Sequence, residues 1–179
     1  MNNKEKIEAL TLAFNNIQNL VSVSDNKANI SLTLQTFLVG FILGSSIISG
    51  IFDKINVSKS YFAVNVFYIL FILFIITSIS GIIVCLLIYK ARFPVEKKGN
   101  GQKGLLYFNK IKLFQSSKDY LNSIFELDEE IWLDELSAQV YNISHIVSNK
   151  MKYVNASIAF LFINLILSIF LTLVAIIFI

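Results

Sequence analysis

Apolar residues fill three long stretches of the chain, at 30–52, 63–89 and 158–179, and none of them contains Asp, Glu, Lys, Arg or Pro. At ~1.5 Å of rise per helical residue these stretches measure roughly 33–40 Å, enough to cross a hydrocarbon core of ~30 Å with some tilt. A helix inside a soluble core is seldom apolar on every face for so long, and a chain of 179 residues lacks the bulk to enclose three of them. The pattern predicts an all-α membrane protein with three transmembrane helices.

The segments between the spans are patterned differently. From Ile7 the apolar residues recur at Leu10, Phe14, Ile17 and Val21, a 3–4–3–4 spacing that draws one narrow stripe on a helix. No Gly or Pro intervenes before Gly40, so one continuous helix is expected to run from residues 1–29 into the first span. A short loop at 53–62 joins the first two spans. After the second, Pro94 leads into a loop by its Gly, Lys and Asn content, whose residues 99–104 match G-x-G-x-x-G. A dinucleotide site needs that motif between a strand and a helix of a βαβ unit, and this one follows a membrane helix, so no Rossmann site is assigned. Two helix starts follow. Ser116 and Asp119 have capping-box spacing ahead of Tyr120, Leu121, Ile124 and Phe125; Asp128, Glu129 and Glu130 open a second helix whose apolar face reads Ile131, Trp132, Leu136, Val140, Ile143 and Val147. The region 90–157 therefore reads as a small helical module. The acidic cluster Glu126, Asp128, Glu129, Glu130, Asp134 and Glu135 is taken as a solvated helix face, because no second ligand-rich segment accompanies it.

Within the spans, the polar residues fall into stripes. Thr33, Thr36, Gly40 and Gly44 gather on one face of the first span, including a Gly-x-x-x-Gly that permits close backbone approach. Ser31, Gln35, Ser46 and Ser49 gather on nearly the opposite face, which marks this span as the inner one, surrounded by helices or water. The second span carries Thr77, Gly81 and Cys85 at i, i+4 and i+8, and the third carries Asn164, Ser168 and Thr172 at the same spacing. A single three-helix protomer offers few places to satisfy so many polar groups. A symmetric homo-oligomer with the first spans near its axis is expected, and such an axis could conduct ions; ordinary interhelical packing, with Ser and Thr bonded to their own backbone, is the simpler alternative.

Composition and charge add direction. Apolar residues make up 55% of the chain and charged residues only 15%, as expected in a bilayer. Lys27 precedes the first span, Lys90, Arg92, Lys97 and Lys98 follow the second, and Lys150 and Lys152 precede the third, whereas the loop 53–62 has only Lys54 and Lys59. The positive-inside bias places the N-terminus and the module at 90–157 in the cytoplasm and residue 179 outside. The polar N-terminal region lacks the pattern of a cleavable signal peptide. One Cys excludes an intrachain disulfide and a thiolate metal site, and the sole His, His145, has no nucleophile elbow to serve. Neither catalysis, a cofactor nor a metal is expected, and a net charge of +3 does not point to duplex DNA binding.

Asp25-x-Lys27-Ala28 at the first span, Leu105-Leu106-Tyr107-Phe108 after the loop, and Gln139-x-Tyr141-x-x-Ser144-x-Ile146 ahead of Lys152-Tyr153 resemble the Pycsar-effector-like membrane proteins of bacterial antiphage defence, whose relatives include Hailong-type channel effectors. The resemblance implies a small effector of the bacterial inner membrane, controlled by a nucleotide made by a partner nucleotidyltransferase or cyclase, that depolarises the membrane and arrests growth. It leaves open whether a cyclic pyrimidine mononucleotide activates the effector or an oligodeoxyadenylate holds a channel closed. An anionic ligand should seek the ring of Lys27, Arg92, Lys150 and Lys152, with Tyr107, Tyr141 and Tyr153 as stacking surfaces for bases and Asp25 orienting the entrance. Juxtamembrane cations also follow from topology and lipid headgroups alone. A passive membrane anchor that recruits a cytoplasmic partner is the competing function.

Overall fold

A computed structural model of the chain describes residues 2–44, 61–90, 105 and 111–178. The described residues include four helices: α1 (Asn3–Gly44), α2 (Tyr61–Tyr89), α3 (Ser117–Phe125) and α4 (Glu129–Phe178). Three of them, α1, α2 and α4, are long and apolar enough to cross a membrane. No strand occurs among the described residues. Ser46, Ser49, Arg92, Tyr107 and the G-x-G-x-x-G segment at 99–104 lie outside them.

Each helix start has a local cause. Asn2 caps α1 reciprocally with Glu5: Glu5 N donates to Asn2 Oδ1 at 2.9 Å, and Asn2 N donates to Glu5 Oε2 at 3.0 Å. This is the logic of a capping box with Asn in the cap position. Ser116 is the N-cap of α3, its hydroxyl accepting from Asp119 N at 3.1 Å. Asp128 caps α4 by accepting from Ile131 N at 2.8 Å. Both starts match the spacing in the sequence. After Gly104 the chain has neither Gly nor Pro, and α4 accordingly runs for 50 residues without a break.

The chain divides into two compact units, one formed by 1–23 and 91–150, the other by 24–90 and 151–179. In the first, the stripe Ile7, Leu10, Phe14, Ile17 and Val21 is half-buried while most of its neighbours on α1 are exposed. A shallow cleft lies between Lys6, Ala9 and Leu10 of α1 and Leu133, Asp134 and Ser137 of α4. Tyr120 of α3 donates its hydroxyl to Leu105 O at 2.9 Å and meets the Phe114 ring edge-on at 5.3 Å. Leu136 and Val147 of α4 are buried, as the apolar face predicts, and so are Glu135 and Gln139. Glu135, at 5% exposure, therefore departs from the solvated acidic face expected for it. Helical phase is the reason: position 135 sits beside Leu136 and one turn before Gln139, on the inward side, whereas Asp134 points out.

The second unit is the membrane bundle. Ala28, Ile88 and Val154 pack together, with Tyr153 and Ile158 against them. A larger apolar cluster, Ile42, Phe67, Phe74, Leu171 and Ala175, forms further along. Moving from the first cluster to the second, residue numbers rise along α1 and α4 and fall along α2, so α1 and α4 run parallel to each other and α2 runs against them. The outward faces carry large apolar side chains such as Phe37, Phe41, Ile69, Ile72, Phe162 and Ile166. That is the expected dressing of helices whose solvent is lipid.

Candidate functional site

Between the two apolar clusters the bundle interior is polar. Gln35 is fully buried, and its Nε2 donates to Ser31 Oγ at 3.3 Å on its own helix and to Ser157 O at 3.2 Å on α4. Cys85 of α2 completes the group, its Sγ lying 3.9 Å from Gln35 Nε2 and 3.7 Å from Ser31 Oγ. The amide oxygen of Gln35 lies against Gly81, where an added Cβ would overlap Gln35 Oε1 and press on its Cδ and Nε2. Only glycine leaves room for the amide there. One to two turns along, Thr77 Oγ1 donates to Asn164 Oδ1 at 2.6 Å. The three stripes read from the sequence thus meet one another: Ser31 and Gln35, then Thr77, Gly81 and Cys85, then Asn164 with Ser157 from the turn before the third stretch.

Within one chain, three helices present part of these polar groups to a common interior. Of the two roles open to Ser31, Gln35 and Asn164, pore lining or helix contact, contact within one chain is what the bundle displays. Several hydroxyls turn to their own backbone: Thr36 to Leu32 O and Thr33 O, Ser168 to Leu165 O, and Thr172 to Ser168 O. Among the described residues, the first span is not covered on both sides. Thr33, Thr36, Gly40 and Gly44 are exposed, and nothing lies within 4 Å of a Cβ built at either glycine.

The seam is incompletely satisfied. Among the described residues, Gln35 Oε1, Ser78 Oγ and Asn164 Nδ2 are buried without a hydrogen-bond partner, on residues no more than 2% exposed. Thr77 has a single hydroxyl proton and three acceptors in reach, Leu73 O, Phe74 O and Asn164 Oδ1, so turning the Asn164 amide over would only move the deficit to its oxygen. Each unpaired polar atom costs about 1–3 kcal/mol in a protein interior, and lipid offers no substitute partner.

The chain matches PycTM, the Pycsar effector protein domain, over residues 9–179. It belongs to the Pycsar effector family. No curated protein and no solved structure gives a significant match. As a Pycsar transmembrane effector the chain acts in antiphage defence, and its three apolar helices fit a membrane protein. The ligand candidates of this Pycsar effector are distributed over both units. Lys27 and Lys152 are exposed, each within two residues of the Ala28–Val154 contact, and Lys150 is half-buried in the other unit. Asp25 offers its backbone carbonyl to the Tyr89 hydroxyl at 3.3 Å, which also donates to Asn29 Oδ1 at 2.6 Å. Tyr153 is half-buried and packs against the Ala28 cluster. Tyr141 is 64% exposed and stands edge-on to His145 at 4.6 Å, a pairing the sequence reading did not single out although i, i+4 spacing places both on one face.

Proposed function

We propose that this Pycsar effector depolarises the bacterial inner membrane by passing ions, under the control of a nucleotide signal made by a partner nucleotidyltransferase or cyclase. The observation that carries this reading is the buried seam of Gln35, Ser78, Thr77 and Asn164 with its three unpartnered polar atoms. The bonded amides serve helix packing, but the three unpartnered atoms cost a passive anchor stability, and polar groups left so in hydrocarbon support a pathway or a switch. The basic flanks support an N-terminus in the cytoplasm. That orientation brings Lys27 and Lys152 to the face from which a cytoplasmic nucleotide arrives, and Tyr141 is open to a base. The Gly40 and Gly44 face, free of neighbours among the described residues, supports a homo-oligomer in which copies approach closely there.

The test is membrane potential, followed with a voltage-sensitive dye in bacteria expressing the chain alone, with cyclic CMP or cyclic UMP supplied, or with an oligodeoxyadenylate supplied. Depolarisation that one of these nucleotides switches on or off is the expected outcome. A potential that holds in every condition returns the chain to the role of a passive anchor.

A further inference from the structure

The ion path of such an effector has two possible positions: an axis shared between copies, along the Thr33, Thr36, Gly40 and Gly44 face, or the interior of each bundle. We propose that the path is the bundle interior itself, and that the seam from Ser31 to Asn164 is its closed form, sealed by the apolar cluster of Ile42, Phe67, Phe74, Leu171 and Ala175. The proposal rests on the ion-conducting reading above and specifies where the conduction occurs.

Three features of the two surfaces favour the interior. The unpartnered atoms, Gln35 Oε1, Ser78 Oγ and Asn164 Nδ2, belong to α1, α2 and α4 respectively, so every wall of the interior contributes a group that gains a partner when water enters. On the outward face of α1 the Thr36 hydroxyl is already bonded to its own backbone, and the stacked rings of Phe37 and Phe41, with centroids 6.3 Å apart, stand beside it. Water gains little there. The third feature is the fit at Gly81. The Gln35 amide fills the space a Cβ would take and bonds to Ser157 of α4, so its side chain ties all three helices together at one point. Moving α1 away from α2 and α4 withdraws this amide, and the groups it held face an aqueous gap. The apolar cluster beyond holds the resting path dry, as a hydrophobic constriction does.

Cys85 makes the idea testable in the native chain. It is the only cysteine, it is fully buried, and it contacts both Ser31 and Gln35. A cationic methanethiosulfonate reagent reacts with a thiolate, forming a mixed disulfide and releasing methanesulfinate, and the thiolate forms only where water reaches the sulfur. Full-length protein in phosphatidylethanolamine and phosphatidylglycerol vesicles is treated with the reagent, with the nucleotide that drives depolarisation in cells either added or removed. Labelling of Cys85 should accelerate by about tenfold or more in the conducting state, and the cationic adduct should cut ion flux by a similar factor. Cys85→Ser should lose both effects. The comparison variant is Thr33→Cys in the Cys85→Ser background. If ions flow while Cys85 stays protected, or if the adduct forms and flux is unchanged, the interior path is refuted while ion conduction stands; rapid labelling and block at Thr33→Cys would then place the path between copies. If no condition produces flux, conduction itself fails and the interior path fails with it.

Discussion

The two halves of the membrane bundle are built on different principles. Between the cluster of Ala28, Ile88 and Val154 and the cluster of Phe74 and Leu171 the interior is a polar seam, where Gln35 meets Cys85 and Gly81 and Thr77 meets Asn164, whereas at Phe74 and Leu171 it is a closed apolar cluster. Both halves exclude bulk solvent, yet only the apolar half satisfies all its atoms in doing so. In water the apolar half would supply the main driving force. In lipid that force between helices is absent, because the chain is in hydrocarbon whether packed or separated, and packing contacts remain. The polar half then supplies registry: one amide that fits only against one glycine fixes the relative position of three helices. The same half also holds the groups that a change of state would release.

The contrast can be broken at four places, beginning with the largest expected effect. Phe74→Ala removes a fully buried ring from the apolar half. Without a transfer term the cost should fall below that of a soluble core, at roughly 2–3 kcal/mol, read by reversible unfolding in detergent. A value near zero would show that this half is not packed as described. Gly81→Ala should cost roughly 1–2 kcal/mol by the same measurement, since the new Cβ displaces the Gln35 amide and its bonds. The loss should disappear in the Gln35→Ala background, where the obstructed side chain is gone. Gly40→Ala in the same assay should stay within roughly 0.5 kcal/mol, because its Cβ enters open space; a larger change accompanied by altered native mass would mark that face as a contact between copies. Gln35→Met has a small effect on stability as well. It exchanges two donated bonds for the removal of an unpaired oxygen at nearly constant shape, and should fall within roughly 1 kcal/mol of the native chain. Its ion flux should nevertheless drop, because a thioether does not hydrate an open path. Unchanged flux would remove Gln35 from the path.

What the sequence determined by itself was everything that depends on local chemistry. Three apolar stretches free of charge define three spanning helices, Ser116 and Asp128 mark helix starts by cap spacing, and the absence of Gly and Pro after Gly104 carries α4 unbroken into the membrane. The polar stripes were legible for the same reason, since helical phase follows from spacing alone. Which stripes would face each other was not legible. Both faces of the first span carry small or polar residues, and only packing decided that Ser31 and Gln35 turn inward while Thr33, Thr36, Gly40 and Gly44 turn out. The Tyr141–His145 pair, the buried Glu135 and the fit of Gln35 against Gly81 likewise depend on residues that come together through side-chain direction or across 46 positions of chain, 81 minus 35. Spacing within a helix sets phase, but the partner across an interface is set by which neighbour fills the volume, and that is a property of the assembled bundle.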